Sequence, residues 1–127
     1  MGNGTSIGRV RGLGAAHSGS HHWLIIRYTA IGSLLLTVWF AASLLMLPNF
    51  SYATVREWVV QPVPATAMAL FILINVWHAR LGIQVVIEDY VHEDANKFIS
   101  IVLLNLVTFA AGAFGLFCVI RLALGGA

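Results

Sequence analysis

The sequence predicts an all-α integral membrane protein that crosses the bilayer three times. Of its 127 residues, 59% are hydrophobic and only 9% are charged, whereas a typical soluble domain carries about 25% charged residues. The apolar residues are also gathered into three long segments, each exceeding the ~20 residues that a helix needs to cross the hydrocarbon core. We expect helices because irregular backbone finds no hydrogen-bond partners in lipid.

The three spans are expected at about 23–47, 65–87 and 98–124. Together they form a transmembrane domain over 23–127, preceded by a polar N-terminal tail over 1–22. Proline ends the first span and precedes the second, where it is tolerated at a helix start. A short interfacial helix is expected in the linker, around 54–60.

The positive charges predict the orientation, since lysine and arginine are enriched in cytoplasmic segments. One side of the membrane receives Arg9, Arg11, Arg27 and Lys97, and the other receives Arg56 and Arg121. This asymmetry predicts an N-terminus in the cytoplasm or the mitochondrial matrix, and so a multi-pass protein of the bacterial inner or mitochondrial inner membrane. The net charge of only +2 and the lack of a basic run argue against a nucleic-acid partner.

Polar side chains in the second span suggest more than an anchoring role. Ionisable residues at membrane depth are costly, so they usually face protein, water or a cofactor. At 100° per residue, one stripe of the helix collects Asn75, His78, Gly82, Val85 and Asp89. Arg80 lies within the same span but on another face.

His78 has two interpretations. Imidazole is the usual protein ligand of b-type haem iron, but a buried histidine can also form a hydrogen bond between helices. Gly82, one turn further on, would let a flat group or another helix approach the backbone. The remaining histidines lie outside the spans or at their edges: His17, His21, His22 and His92. A second axial ligand would therefore come from another chain.

Asp89 and Tyr90, at the end of the same span, also have two interpretations. They are either a solvated helix end or part of a quinone site, in which the tyrosine donates a hydrogen bond and the carboxylate orients it or relays protons. His78 and Tyr90 are separated by ~18 Å along a helix. Near the start of the first span, Arg27 either extends to the headgroups or pairs with an anion such as a haem propionate, and His21 and His22 could join it.

The segment from His78 to His92 carries the pattern His-x3-Gly-x6-Asp-Tyr and, within it, Gln-Val-Val-x-x-Asp-Tyr-Val-His. It resembles the second membrane helix of the hydrophobic membrane-anchor subunit of succinate dehydrogenase, the respiratory complex II. The beginning of the first span, from His21 to Ala30, is similar to the same family. The resemblance covers most of the chain.

This resemblance implies a three-helix subunit that packs with a second three-helix subunit, the cytochrome b anchor, into a haem-binding bundle. The pair would hold an iron–sulfur subunit with its clusters and a flavoprotein subunit with its FAD at the membrane, and electrons from succinate would reduce ubiquinone. It also implies roles residue by residue: His78 as an axial ligand of the shared haem b, with Gly82 in the same motif, Tyr90 as the quinone-binding residue and Asp89 as its acidic neighbour. Arg27 would lie near the haem propionates and the quinone pocket, and His21, a better match than its neighbour His22, would be the family's histidine six positions before that arginine.

Two other classes of function stay open at this stage. One is the anchor of a fumarate reductase that oxidises a quinol, and the other is a small non-redox membrane protein whose polar residues only pack helices. The sequence has no flavin fingerprint and no iron–sulfur cysteine set. We therefore expect this chain to contribute to a catalytic complex without being an enzyme by itself.

Overall fold

Three long helices and one short helix make up residues 19–125, the part of the chain that the computed structural model describes. In chain order they are α1 (Gly19–Leu45), α2 (Tyr52–Val59), α3 (Pro62–Tyr90) and α4 (Asp94–Ala123). The helices α1, α3 and α4 are each long and apolar enough to cross a membrane. The predicted all-α architecture with three spans is confirmed.

The helices extend beyond the predicted hydrocarbon spans at most of their ends. Helix α3 begins at Pro62, because proline suits the first turn, where an N–H would lack an acceptor. Helix α2 confirms that the linker contains a short helix, and the Oγ of Ser51 accepts a hydrogen bond from the backbone N–H of Thr54 at its start. Helix α1 begins at Gly19, inside the predicted tail; the rest of that tail, 1–18, lies outside the described residues.

Helix α3 lies between the other two spans. Ile74 of α3 packs against Gly32 of α1, where a Cβ added to the glycine would lie 3.2 Å from the Ile74 Cδ1. On another face of α3, Ile72 lies against Gly115 of α4. Within residues 19–125, α1 and α4 both pack on α3 and not on each other. The spans therefore form a row of three helices, and the glycines allow close approach within it.

Aromatic rings join α2 to the row. The Trp58 ring stacks on Trp39 of α1 with centroids 6.1 Å apart, and lies 6.0 Å from Phe40. Phe40 in turn stacks on Phe71 of α3 at 5.6 Å. These contacts hold the short helix against the end of the bilayer-spanning row at which α1 ends and α3 begins.

The row leaves most of its apolar side chains uncovered. In the described part of the chain, the buried hydrophobic side chains are Val59, Leu81 and Val119. Large apolar residues such as Leu34 and Phe109 are 64% and 80% exposed. Soluble monomers rarely expose contiguous apolar patches larger than a few hundred Å², so these faces suit lipid or an apolar partner. Packing with a second three-helix subunit stays a prediction.

Candidate functional site

His78 lies within α3, partly buried, and faces α1. Its Nδ1 atom is 3.0 Å from the Oγ1 of Thr29 on α1. The same hydroxyl lies 2.9 Å from the carbonyl oxygen of Ile25 and 3.0 Å from that of Ile26, both in its own helix. One nitrogen of the imidazole is therefore fixed by a neighbouring helix.

A second polar contact lies one turn away along the same helix pair. Ser33 of α1 donates a hydrogen bond from Oγ to the Oδ1 of Asn75 at 2.7 Å, and Asn75 donates from Nδ2 to the carbonyl of Phe71 at 2.8 Å. We call Thr29, Ser33, Asn75 and His78 the polar seam. Because it pairs later residues of α1 with earlier residues of α3, it fixes the register of two antiparallel helices.

The other imidazole nitrogen is left available by the described residues. Within residues 19–125, Nε2 of His78 forms no hydrogen bond, and it is not fully enclosed. A Cβ added to Gly82, one turn further along α3, would meet nothing within 4 Å. The seam supports the helix-packing interpretation of His78, while the open Nε2 and Gly82 fit an axial haem ligand.

No complete metal site is formed by residues 19–125 alone, since they contain no group of three histidine, cysteine or acidic side chains that could hold a metal ion. A haem iron would need only one imidazole nitrogen from this chain, and the Nε2 of His78 is such a donor. The residues present therefore fit one side of a haem site, whose second imidazole would come from another chain.

Asp89 and Tyr90 lie at the C-terminal end of α3, and both are exposed. Neither side chain forms a hydrogen bond within the described part of the chain, and Tyr90 is 77% exposed. By contrast, their neighbour Glu88 accepts a hydrogen bond from Gln84 at 2.7 Å and, through its carbonyl, one from Lys97 at 3.1 Å. The helix end is therefore braced while the carboxylate and the phenol stay available.

Arg27 and His21 lie in the first turns of α1, and both are exposed. The guanidinium of Arg27 lies 5.2 Å from the Trp23 ring centroid. Since Arg27 precedes Thr29 by two positions, it points about 200° away from it around the helix. The chain by itself therefore does not bring Arg27 to His78. The antiparallel seam does place His21 and Arg27 at the same end of the row as Asp89 and Tyr90.

Sequence reasoning left Arg80 without a partner, and the structure supplies two. Its Nε donates a hydrogen bond to the Oδ1 of Asn105 on α4 at 2.6 Å, and its guanidinium carbon lies 5.4 Å from the Trp77 ring centroid. These residues line one end of an open groove of about 570 Å³ between α3 and α4. Asn105 is the only asparagine in the predicted third span. An isolated polar residue in an apolar span could have indicated that it pairs with a polar residue of another helix.

Thr29 and Ser33 were also missed by sequence reasoning. Their spacing of four positions on the first span places both hydroxyls on one face of a helix. Small hydroxyl residues are favoured at helix–helix contacts in membranes. Two hydroxyl residues four positions apart therefore indicate a face that packs against another helix. The residues they bond to can be identified only when that helix is known.

The fold and the seam define a three-span, all-α membrane protein with a histidine held between two of its helices. Residues 1–112 match the model of a protein family described as the succinate dehydrogenase/fumarate reductase transmembrane subunit. The chain belongs to that family. This result confirms the resemblance found in the sequence.

Individual relatives agree with the family assignment. The chain is 37% identical over 115 residues to the succinate dehydrogenase hydrophobic membrane anchor subunit of Rickettsia conorii, covering 87% of this chain and 91% of the relative. It is 32% identical over 94 residues to the succinate dehydrogenase membrane anchor subunit of Reclinomonas americana, covering 71% and 78%. The corresponding protein of Paracoccus denitrificans is 26% identical over 116 residues, covering 91% and 89%. No solved structure matches the chain.

Proposed function

We propose that this chain is the hydrophobic membrane anchor of a succinate:quinone oxidoreductase, contributing one axial ligand to haem b and part of the ubiquinone-reduction site. The observation that carries the proposal is the state of His78: Nδ1 is held by Thr29, while Nε2 has no hydrogen bond within residues 19–125. The names of the relatives favour succinate dehydrogenase over a fumarate-reducing counterpart.

His78 would hold the haem iron through Nε2, with Gly82 leaving room beside it. A bound haem supplies one-electron redox chemistry. Arg27 and His21 would bind the propionates, since a guanidinium matches a carboxylate with two parallel N–H donors. Arg27 points away from the seam, so we place the propionates at an interface with the cytochrome b anchor, which would also bring its own axial ligand.

Tyr90 and Asp89 would form this chain's part of the quinone pocket. The Tyr90 hydroxyl donates a hydrogen bond to a quinone carbonyl oxygen, and the Asp89 carboxylate orients that hydroxyl or passes it a proton from the aqueous side. Their side chains are exposed and without hydrogen bonds in the described part of the chain, which supports this role. The tyrosine is the residue that touches the substrate.

Two features support the anchoring role: the uncovered apolar faces of the row, and the end of the row where α1 begins and α3 turns into α4. Exposed apolar surface on both sides suits lipid and a second three-helix subunit. The start of α1 and the turn between α3 and α4 lie at one end, which we assign to the cytoplasmic or matrix side. There the iron–sulfur and flavoprotein subunits, with their clusters and FAD, would dock.

The test is purification of the native complex through a tag on this chain, with identification of its subunits by mass spectrometry and a reduced-minus-oxidised optical spectrum. We expect a b-type α band together with flavoprotein and iron–sulfur partners. Replacing His78 with alanine should remove or shift the band. His92→Ala is the matched control, since it removes an exposed imidazole that lies beyond the end of α3 and outside the polar seam; it should leave the band unchanged. A complex with neither haem nor those partners would overturn the proposal and leave His78 as a helix-packing residue.

A further inference from the structure

We propose that Thr29 is a positioning residue that sets the tautomer of His78, keeping the ring proton on Nδ1 and the lone pair on Nε2. The inference deepens the proposed haem site and rests on it for its functional meaning. The tautomer itself follows from the hydrogen-bond geometry around one hydroxyl group.

The Thr29 hydroxyl has a single proton and three polar neighbours at 2.9–3.0 Å. Two of them, the carbonyl oxygens of Ile25 and Ile26, can only accept a hydrogen bond. A threonine in a helix commonly donates to the carbonyl four positions earlier. If it donated to His78 instead, two carbonyl oxygens would face the lone pairs of its oxygen without a proton between them.

The hydroxyl proton therefore goes to the α1 carbonyls, and the hydroxyl oxygen accepts the hydrogen bond from His78. A neutral imidazole has one N–H, so a proton on Nδ1 leaves Nε2 unprotonated. That form can bind a metal ion through Nε2 without first losing a proton. The hydrogen bond that Nδ1–H donates to Thr29 also orients the ring and raises the basicity of the coordinating Nε2.

The rest of the polar seam keeps this arrangement in register. Ser33 and Asn75 lock α1 against α3 one turn away, so Thr29 cannot slide relative to His78 without breaking a second hydrogen bond. A metal-binding histidine needs this kind of fixed partner. Thr29 supplies it from a neighbouring helix of the same chain.

The experiment compares three variants in the purified complex: Thr29→Val, Thr29→Ser and Thr37→Val. Valine keeps the shape of threonine and loses the hydroxyl, while serine keeps the hydroxyl. Thr37 is the matched control because its hydroxyl also donates to a carbonyl four positions earlier in α1, that of Ser33 at 2.7 Å, without contacting His78. The readouts are the haem content, the haem midpoint potential and the low-spin EPR spectrum.

Thr29→Val should weaken haem retention by about 10–100-fold, the usual effect of losing an outer partner of a metal ligand. The haem that remains should have a raised midpoint potential, since a less basic imidazole stabilises the ferric form less. Thr29→Ser should restore both properties, and Thr37→Val should match the wild type. Unchanged haem content and potential in Thr29→Val would overturn the proposal.

A direct measurement separates this inference from the proposed function. In the complex labelled with ¹⁵N-histidine and isolated without haem from cells that cannot make it, with His78→Ala identifying the signal, the nitrogen shifts report which ring atom carries the proton. A wild-type complex that takes up no haem when haem is supplied would defeat the proposed haem site, and the haem-free spectrum would still decide the tautomer. An Nδ1–H signal in the haem-free wild type that is lost in Thr29→Val would support the inference, and an Nε2–H signal there would refute it.

Discussion

Arg80 of α3 donates a hydrogen bond to Asn105 of α4 at 2.6 Å, and this contact lies deep in the membrane-spanning part of the row. Arg80 is ten positions from the end of α3 and Asn105 eleven from the start of α4, or ~15 Å at 1.5 Å per residue. A guanidinium at that depth is costly unless it has partners. The contact explains how the second span accommodates an arginine on the face away from His78.

Replacing Asn105 with leucine should lower the free energy of unfolding by about 1–3 kcal/mol, because it leaves a charged donor without its acceptor. The double variant Arg80→Leu/Asn105→Leu should recover most of that loss, since removing both partners leaves no unsatisfied group. Steric-trap unfolding of the full chain in bicelles measures both changes.

Asn96→Leu is the control for that experiment, since Asn96 is an exposed asparagine in the first turn of the same helix, bonded to Glu93. Its replacement should change the free energy of unfolding much less than that of Asn105. Equal losses at the two positions would mean that the Arg80 contact contributes nothing particular to stability.

The sequence was sufficient for what depends on composition and helical period. Long apolar segments predicted the three spans. The helical period of 100° per residue placed Asn75 and His78 on one face, which the polar seam confirms. It could not identify Thr29 or Asn105 as partners, because a contact between helices depends on which faces meet and in what register. It also could not show that Arg27 turns away from the seam, since that requires knowing which side of α1 packs on α3.

Gly115→Ala should destabilise the contact between α3 and α4. A Cβ at this position would lie 2.9 Å from the Cγ2 of Ile72, closer than side-chain carbons normally approach. Overpacking of this kind typically costs about 1–3 kcal/mol. The free energy of unfolding of the full chain in bicelles is the measurement, and Gly115→Ala should cost less in an Ile72→Ala background than in the wild type, since the clashing Cγ2 is then absent.

The matched control is Gly112→Ala, one turn earlier on the same face of α4. There the added Cβ would lie 3.7 Å from Val76 Cγ1, an ordinary contact, and alanine favours a helix by up to about 1 kcal/mol over glycine. Gly112→Ala should be neutral or stabilising. If both alanines were equally well tolerated, the close approach at Gly115 would not limit the packing of these helices.

Tyr90→Phe should slow ubiquinone reduction by the assembled complex while leaving haem in place. The ring stays and only the hydroxyl is lost, so the expected cost is that of a hydrogen bond, about 0.5–1.5 kcal/mol, or up to about tenfold in kcat/KM for the quinone. Succinate oxidation with a water-soluble electron acceptor should keep its wild-type rate. The comparison of the two acceptors locates the defect at the quinone.

Tyr52→Phe controls for the loss of a phenol elsewhere on the chain. Tyr52 is 73% exposed, close to the 77% of Tyr90, but it lies in α2 at the other end of the row. We expect this variant to reduce ubiquinone at the wild-type rate. A Tyr90→Phe complex that did the same would remove Tyr90 from the quinone site.

Gly82→Leu should lower the haem content of the assembled complex without lowering the stability of the chain itself. Within residues 19–125 a side chain at this position meets nothing within 4 Å, and leucine is a good helix former, so the stability of the chain alone should be unchanged or slightly higher. In the complex the leucine would occupy the space beside His78 that we assign to haem, and the b-type band should fall sharply.

Ala110→Leu, at an exposed position of α4, adds similar bulk away from His78 and should leave the band intact. Full haem content in the Gly82→Leu complex would show that the haem does not approach α3 at this turn, whatever ligand His78 provides.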